Sequence, residues 1–280
     1  HDTQLLIRGL DNLIDISGYP FDELKTAAML RRKIGAGIFG YGSALMMMGM
    51  KYGSDEAMAF TERLMHQFVN IAHQQSAMLA KEKGSFILYD EEKIFKNGFI
   101  ANSGYLTDET LDMIKKHGLR NSQLLAIAPT GNLSIYAGCI SGGIEPAFEL
   151  DYWRWAIMNH KMTTLLKGLA YPKFERGEWF ETKDFKFSMR GDDQVLLSTD
   201  GNLMIDRSRG LTQKVNVKEF GYETVIDNYS KEVIADYKKR GVFTTAQNLT
   251  AVEHLDPFIL LGKYIDNSIS KTINLPNDYP

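Results

Sequence analysis

The chain has 280 residues, 44% of them hydrophobic and 24% charged, with a formal net charge of −3 at pH 7. That supplies a sizeable apolar core and leaves no surplus of positive charge to neutralise a phosphate backbone, which argues against a nucleic-acid partner. The longest apolar stretch, Ile34 to Met50, is broken by Gly35, Gly37, Gly40, Gly42 and Gly49, short of the roughly 18 unbroken residues of a membrane span. Cys139 is the single cysteine. It rules out an internal disulfide and a cysteine-built zinc or iron–sulfur site, and it suits a reducing, cytoplasmic compartment. The first residues, His1-Asp2-Thr3-Gln4, lack the basic start of a secretory signal; His1 in place of Met marks a processed chain or a piece of a longer one.

In chain order, Leu5, Leu6, Leu10, Leu13 and Ile14 recur with a helical period and predict a helix over 4 to 16, stopped by Gly18-Tyr19-Pro20. Further helices are expected from Asp22 to Lys33 and over 37 to 50. A long one runs from Ser54, with acids in its first turn, to Lys83, where Gly84 ends it. A short helix opens at Thr107 and closes near His117-Gly118, and Gln123 to Ala128 reads as a buried strand. Residues 152 to 168 read as helical, then 184 to 217 alternate like β-hairpins with a turn at Asp200-Gly201. A helix from about Tyr229 to Arg240, a strand at Val242-Phe243-Thr244 and a helix from about Asp256 to Ser270 complete the pattern. Helices alternating with short buried strands indicate the α/β class.

Several segments invite chemistry. Gly35-Ala36-Gly37-Ile38-Phe39-Gly40 matches Gly-x-Gly-x-x-Gly, but Met29 to Lys33 before it is not an apolar strand, so close helix packing explains the glycines better than a bound dinucleotide. Ala128-Pro129-Thr130-Gly131-Asn132-Leu133-Ser134 is a small, polar turn at a strand end, able to offer N–H groups to an anion or simply to turn the chain. In Ser141-Gly142-Gly143-Ile144-Glu145-Pro146, Glu145 is a candidate acid or base, or a ligand for backbone amides. Cys139 has no His or Lys within several residues to activate it and reads as a small buried hydrophobe. His66, His73, His117, His160 and His254 show no metal-ligand spacing; His66 and His73, two turns apart on one helix, read as solvent-facing or satisfied core residues.

Five segments in order resemble the large catalytic chain of ribonucleotide reductases: Arg31-Arg32-Lys33-Ile34-Gly35-Ala36-Gly37, His117-Gly118-Leu119-Arg120-Asn121-Ser122, Ala128 to Ser134, Gly143-Ile144-Glu145-Pro146, and Asp266 to Pro276. The last two resemble most closely the adenosylcobalamin-dependent class. The resemblance implies an α/β fold, the second half of a ten-stranded barrel, with residues 1–280 a partial barrel domain and a β-hairpin-rich insertion at about 180–225. The family reduces ribonucleoside di- or triphosphates to deoxyribonucleotides for DNA replication. A cysteine in an Asn-x-Cys-x-Glu segment becomes a thiyl radical, and a cysteine pair supplies the electrons.

This sequence has no Asn-x-Cys-x-Glu segment. The resemblance therefore places the radical cysteine and at least one cysteine of the redox pair upstream of residue 1, and the last barrel strand beyond Pro280. It implies adenosylcobalamin as cofactor, with a radical-generating metallo-subunit as the alternative. The implied partners are a ribonucleotide substrate, the cysteine-bearing upstream reductase segment and a thioredoxin- or glutaredoxin-type reductant. By position, Pro129, Thr130, Gly131, Asn132 and Leu133 carry over as the loop that binds substrate phosphates. Asn132 stands where Thr or Ser is usual, and still donates hydrogen bonds. Two rival readings are a non-catalytic nucleotide-binding or assembly subunit of the same fold, and a dinucleotide-dependent oxidoreductase using Gly35 to Gly40.

Overall fold

The computed structural model describes residues 1–96, 98–102, 104–157, 179–181, 186–190, 195–198, 202–206 and 210–275. The chain divides into two units, His1–Leu150 with Glu219–Pro280, and Asp151–Lys218. In the first, α1 (Asp2–Ile16), α2 (Asp22–Arg31), α3 (Tyr41–Met47), α4 (Asp55–Lys83), α5 (Glu91–Lys96), α6 (Phe99–Asn102), α7 (Asp108–His117) and α8 (Gly131–Tyr136) precede α9 (Phe220–Asn228), α10 (Lys231–Lys239) and α11 (Ala251–Gly262).

The helix α4 forms where the sequence signals it. Ser54 accepts the Ala57 N–H through its side chain, Asp55 and Glu56 sit at the positive end, Lys81 and Lys83 at the negative end, and Gly84 leaves the helix at φ +84°. It packs against α1, α7 and α11. Its Met65, Val69, Ala72 and Leu79 join Ile7, Ile114, Leu124, Leu125 and Leu261 in the core.

Residues 123–127 thread this core as an extended segment between two others, both parallel to it. On one edge Ile34 N–H donates to Gln123 O (3.0 Å) and Ala126 N–H to Ala36 O (2.9 Å); on the other, Ile127 N–H donates to Ser268 O (2.8 Å) and Ser270 N–H to Ile127 O (3.0 Å). Single parallel bridges, Ala36 with Leu125 and Ile127 with Ile269, mark the pairing. Leu124, Leu125 and Ile127 are buried, as a strand covered on both faces requires. Asp266 fixes the register, because its two carboxylate oxygens accept the consecutive N–H groups of Leu124 (2.9 Å) and Leu125 (2.7 Å).

A buried carboxylate ties the surrounding helices together. Asp11 of α1, 0% exposed, accepts from Arg32 Nε (2.9 Å) and Asn121 Nδ2 (3.1 Å), with Lys83 Nζ and Arg120 Nε both at 3.4 Å. Arg32 caps α2 in the left-handed region, φ 47°, and also engages Asp15 at 2.7 Å.

The second unit is one antiparallel sheet in the order β1-β6-β5-β4-β3-β2, with β1 Asp151–Ile157, β2 Trp179–Glu181, β3 Lys186–Arg190, β4 Val195–Ser198, β5 Leu203–Asp206 and β6 Gly210–Lys218. In β1, Trp153 pairs with Asn216 and Trp155 with Lys214. The Lys214 ammonium lies 5.3 Å from the Trp153 ring centre.

Several expected elements are corrected. The helix expected over 152 to 168 starts as strand β1, since Tyr152, Trp153 and Trp155 satisfy a pleated surface as well as a helical one; residues 158 to 168 lie outside the described residues, as does the expected turn at Asp200-Gly201. The helix expected over 37 to 50 shrinks to α3, because residues 34–37 extend along the central segment and Gly40 enters the helix at φ +74°. Val242 and Phe243 form a turn after α10 rather than a strand. The last helix lies earlier than expected. Thr250 and Glu253 cap it reciprocally, and Pro257 falls inside it.

Replacing Asp11 by Ala takes from buried Arg32 its buried carboxylate and leaves it only the more exposed Asp15. The expected loss is about 3–5 kcal/mol of stability, read as a lower urea midpoint; a loss below about 1 kcal/mol would show that neighbouring Asp15 carries the charge instead.

Candidate functional site

The central segment leaves the core at Ala128-Pro129 and turns at Thr130, which adopts φ 52°, ψ 26°. A β-branched residue pays for this left-handed geometry in strain. Two contacts hold it there: Gly143 N–H donates to Thr130 Oγ1 (2.7 Å), and Ser134 N–H to Thr130 O (2.8 Å). Helix α8 begins immediately, with Ser134 Oγ folded back onto Gly131 O (2.9 Å). Among the described residues no group accepts from the N–H of Gly131, Asn132 or Leu133, the unpaired donors every helix start leaves. These residues are exposed, and the space a Cβ on Gly131 would enter is open. Gly131, Asn132 and Leu133 thus present one anion-compatible row of backbone N–H groups, which Pro129, itself without an N–H, and Thr130 lead into.

Behind this surface lies the turn at Ser141–Pro146. Gly142 and Gly143 rest against the carbonyls of Pro129 and Ala128, each 2.7 Å from where a Cβ would sit, and Gly143 has φ +47°. Ser141 N–H donates to Ser43 Oγ (2.8 Å), and Ser43 hydrogen-bonds Glu219. Burial pushes the Glu219 carboxyl above its ordinary range.

Glu145, a candidate acid or base, is fully engaged. Its Oε1 accepts the Thr272 N–H (2.7 Å) and its Oε2 the Lys271 ammonium (2.6 Å). Lys271, with its side chain 2% exposed, also reaches His254 Nδ1 (3.1 Å) and Thr272 O (2.6 Å). His254 Nε2 lies 2.9 Å from Ala246 O. A carbonyl can only accept, so Nε2 carries the proton and Nδ1 receives from Lys271. Burial lowers the Lys271 pKa while Glu145 opposes the shift; burial likewise lowers that of His254. Tyr52 O–H donates to Ile144 O (2.7 Å), and the Lys271 ammonium lies 5.8 Å from its ring centre. Sequence reasoning singled out Glu145 but missed Tyr52, His254 and Lys271 as its neighbours.

The other candidates sit elsewhere. A Cβ on Gly37 would collide with the Ala126 carbonyl oxygen; one on Gly35 would meet Ala126 Cβ at 3.2 Å and one on Gly40 Ile140 Cδ1 at 2.9 Å. The protein itself occupies the space a pyrophosphate would need, which removes the dinucleotide reading. The close packing of Gly35 and Gly37 is against the central segment, and that of Gly40 against Ile140, not between helices as expected. Cys139 is free and half-buried, at φ +65°, and its N–H closes α8 onto Ser134 O at 2.9 Å; where a small buried hydrophobe was expected, the structure has a half-buried helix-end residue. His66 is exposed, whereas His73 is buried with Nδ1 2.8 Å from Val69 O. His73 and Asp266 line a cavity of about 300 Å³ at the start of the central segment, away from the loop.

Comparison with known families decides the fold. Residues 1–186 match the family model described as ribonucleotide reductase, barrel domain. The chain belongs to the ribonucleotide reductase barrel family. It is 27% identical over 270 residues to the vitamin B12-dependent ribonucleoside-diphosphate reductase of Mycobacterium tuberculosis (strain CDC 1551 / Oshkosh), covering 96% of this chain and 31% of that protein. It is 27% identical over 272 residues to a Thermoplasma acidophilum reductase of the same name, covering 97% and 28% respectively. The chain therefore spans under a third of the length of these relatives. The solved Actinobacillus ureae class Id ribonucleotide reductase alpha subunit superposes with a TM-score of 0.51 at 18% identity, over 94% of this chain and 38% of that one. The parallel segments and their helices are thus part of an α/β barrel of the reductase type.

Two measurements follow. Gly37→Ala forces the central segment apart and is expected to cost about 1–3 kcal/mol in chemical denaturation; a neutral result would reopen the dinucleotide reading. Burial also holds the His73 pKa below its ordinary 6.5, with Asp266 opposing the shift. As pH falls below about 6.5 the unfolded chain takes up a proton that folded His73 refuses, so stability declines from there downward. His73→Gln is expected to flatten this acid-side decline in urea midpoints taken between about pH 7.5 and 5. An unchanged slope would assign it to other groups.

Proposed function

We propose that this chain supplies the substrate-phosphate loop of a ribonucleotide reductase acting on ribonucleoside di- or triphosphates, with Pro129, Thr130, Gly131, Asn132 and Leu133 receiving the phosphates. The observation that carries this reading is the row of N–H groups at Gly131, Asn132 and Leu133, from which no group among the described residues accepts, presented by a strained Thr130. Backbone N–H groups at a helix start neutralise phosphate oxygens without a bulky cation, and the Asn132 amide adds a side-chain donor. The names of the relatives support the substrate class, and the loop lies within the residues that match the family model.

Replacing the ribose 2′-hydroxyl by hydrogen releases water and oxidises two thiols to a disulfide, after a third thiol has served as the radical. One cysteine cannot fill those roles. In this proposal the reacting cysteines belong to a reductase segment outside these 280 residues, and a thioredoxin- or glutaredoxin-type protein reduces the resulting disulfide. The cytoplasm is the compartment that fits such exchange; no helix among the described residues is long and apolar enough to cross a membrane. The names of the relatives favour adenosylcobalamin as the radical source. It brings its metal already chelated. No residue of this chain is assigned to the cofactor, which supplies the initiating radical when bound.

Calorimetry of the full chain with CDP and with cytidine tests the loop, CDP being expected to bind more tightly by virtue of its phosphates. Gly131→Asp places a carboxylate in open space beside the N–H groups. It should hold or slightly raise stability through the helix dipole while weakening CDP binding about tenfold or more; equal CDP affinity would refute the loop. Mixing the chain with a cysteine-bearing reductase segment, adenosylcobalamin and a dithiol should yield deoxycytidine diphosphate. Reduction by the 280 residues alone would overturn the division of labour. Phosphate-dependent binding with no turnover in the mixture would favour the non-catalytic nucleotide-binding subunit.

A further inference from the structure

We propose that Lys271 and Glu145 are a positioning pair that sets the phosphate loop, transmitting the placement of the last parallel segment to Thr130. This rests on the phosphate reading of the loop and adds residues that touch no phosphate themselves.

The path is a continuous run of short contacts. Lys271 Nζ donates to Glu145 Oε2 at 2.6 Å, and Thr272 N–H to Glu145 Oε1 at 2.7 Å. Glu145 N–H donates to Gly142 O at 2.8 Å, closing the turn. From that turn Gly143 N–H reaches Thr130 Oγ1 at 2.7 Å. Thr130 holds a strained geometry, and a strained residue keeps its conformation only while its surroundings over-determine it. The turn is one of those surroundings, and Glu145 is its anchor to the rest of the fold.

Charge matters to this anchor. The Lys271 side chain is 2% exposed and Glu145 24% exposed. The three protons of the ammonium are taken by Glu145, His254 and Thr272 O, so Lys271 has no donor left for substrate. Its work is done through Glu145. Removing the ammonium alone leaves a partly buried carboxylate facing neutral groups, which relaxes by moving away, and the turn moves with it. Removing both charges leaves no such force, because losing a whole buried pair is far milder than losing one partner. A Gln at 145 still accepts the Thr272 N–H.

The experiment uses the full 280-residue chain and three variants, Lys271→Met, Lys271→Arg and the double variant Glu145→Gln with Lys271→Met. Amide hydrogen exchange is followed at Gly143, and affinity is measured for CDP and for cytidine. Lys271→Met is expected to speed Gly143 exchange and to weaken CDP about tenfold, a step of about 1.4 kcal/mol, with cytidine changed less than about twofold. The double variant is expected to recover most of the loss, and Lys271→Arg, which keeps the charge, part of it. Unchanged Gly143 exchange in Lys271→Met overturns the proposal. So does an equal loss for CDP and cytidine, which marks a general structural defect, or a double variant as impaired as the single one. If wild-type chain binds CDP no better than cytidine, the phosphate reading fails, and the positioning role fails with it as a role in phosphate binding. The exchange data then show separately whether Lys271 governs the turn.

Discussion

Two consecutive backbone N–H groups, those of Leu124 and Leu125, must be satisfied inside the core, and the carboxylate of Asp266 satisfies both. The rest of the first unit follows from that requirement. A carboxylate accepting two adjacent amides fixes the register of residues 123–127 against 266–270, and Gln123 Nε2 on the Asp266 carbonyl at 2.8 Å repeats the constraint. With the register fixed, the segment can end at only one place, and Pro129 to Leu133 emerge there. Placing a site where parallel strands end is the general habit of α/β barrels.

A second carboxylate works on the other side of the same segment. Asp11 gathers Arg32, Arg120 and Asn121, the residues just before the two neighbouring extended stretches. Asn121 Nδ2 also donates to Arg32 O at 3.0 Å, and Ser122 N–H to Arg31 O at 3.0 Å. The polar network therefore aligns the starts of both stretches before their apolar residues meet. In a low-dielectric interior such a network is costly to break and specifies one arrangement.

Much of this was legible where the information is local. Ser54, the acids after it and Gly84 define α4 to the residue, and Thr107 and Gly118 do the same for α7. The turn at Pro129-Thr130-Gly131-Asn132, proposed above as a phosphate loop, was legible as a turn because a buried apolar run gives way abruptly to it. The reading failed where a local signal had two meanings. The last helix was read from about Asp256, and the Thr250–Glu253 capping box that opens α11 went unread; Pro257 lies inside that helix. The aromatic cluster at Tyr152 to Trp155 fits a strand or a helix, and only pairing with β6 decides between them. The Lys271–Glu145 contact could not be seen, because 126 residues separate its partners and, although each lies in a segment the sequence singles out, no local pattern pairs them.

The central segment has a consequence for how the chain is made. One edge, against residues 34–36, can pair as soon as the segment leaves the ribosome. The other waits for Asp266 and its neighbours, with 143 residues separating Gln123 from Asp266. Throughout that interval a buried-type apolar strand stands with one row of N–H and C=O groups open, the template on which chains join edge to edge. The intervening β-rich unit prolongs the exposure. Slowing translation after residue 218, or crowding many nascent chains together, is therefore the condition under which this protein is most prone to aggregate, however stable its finished fold.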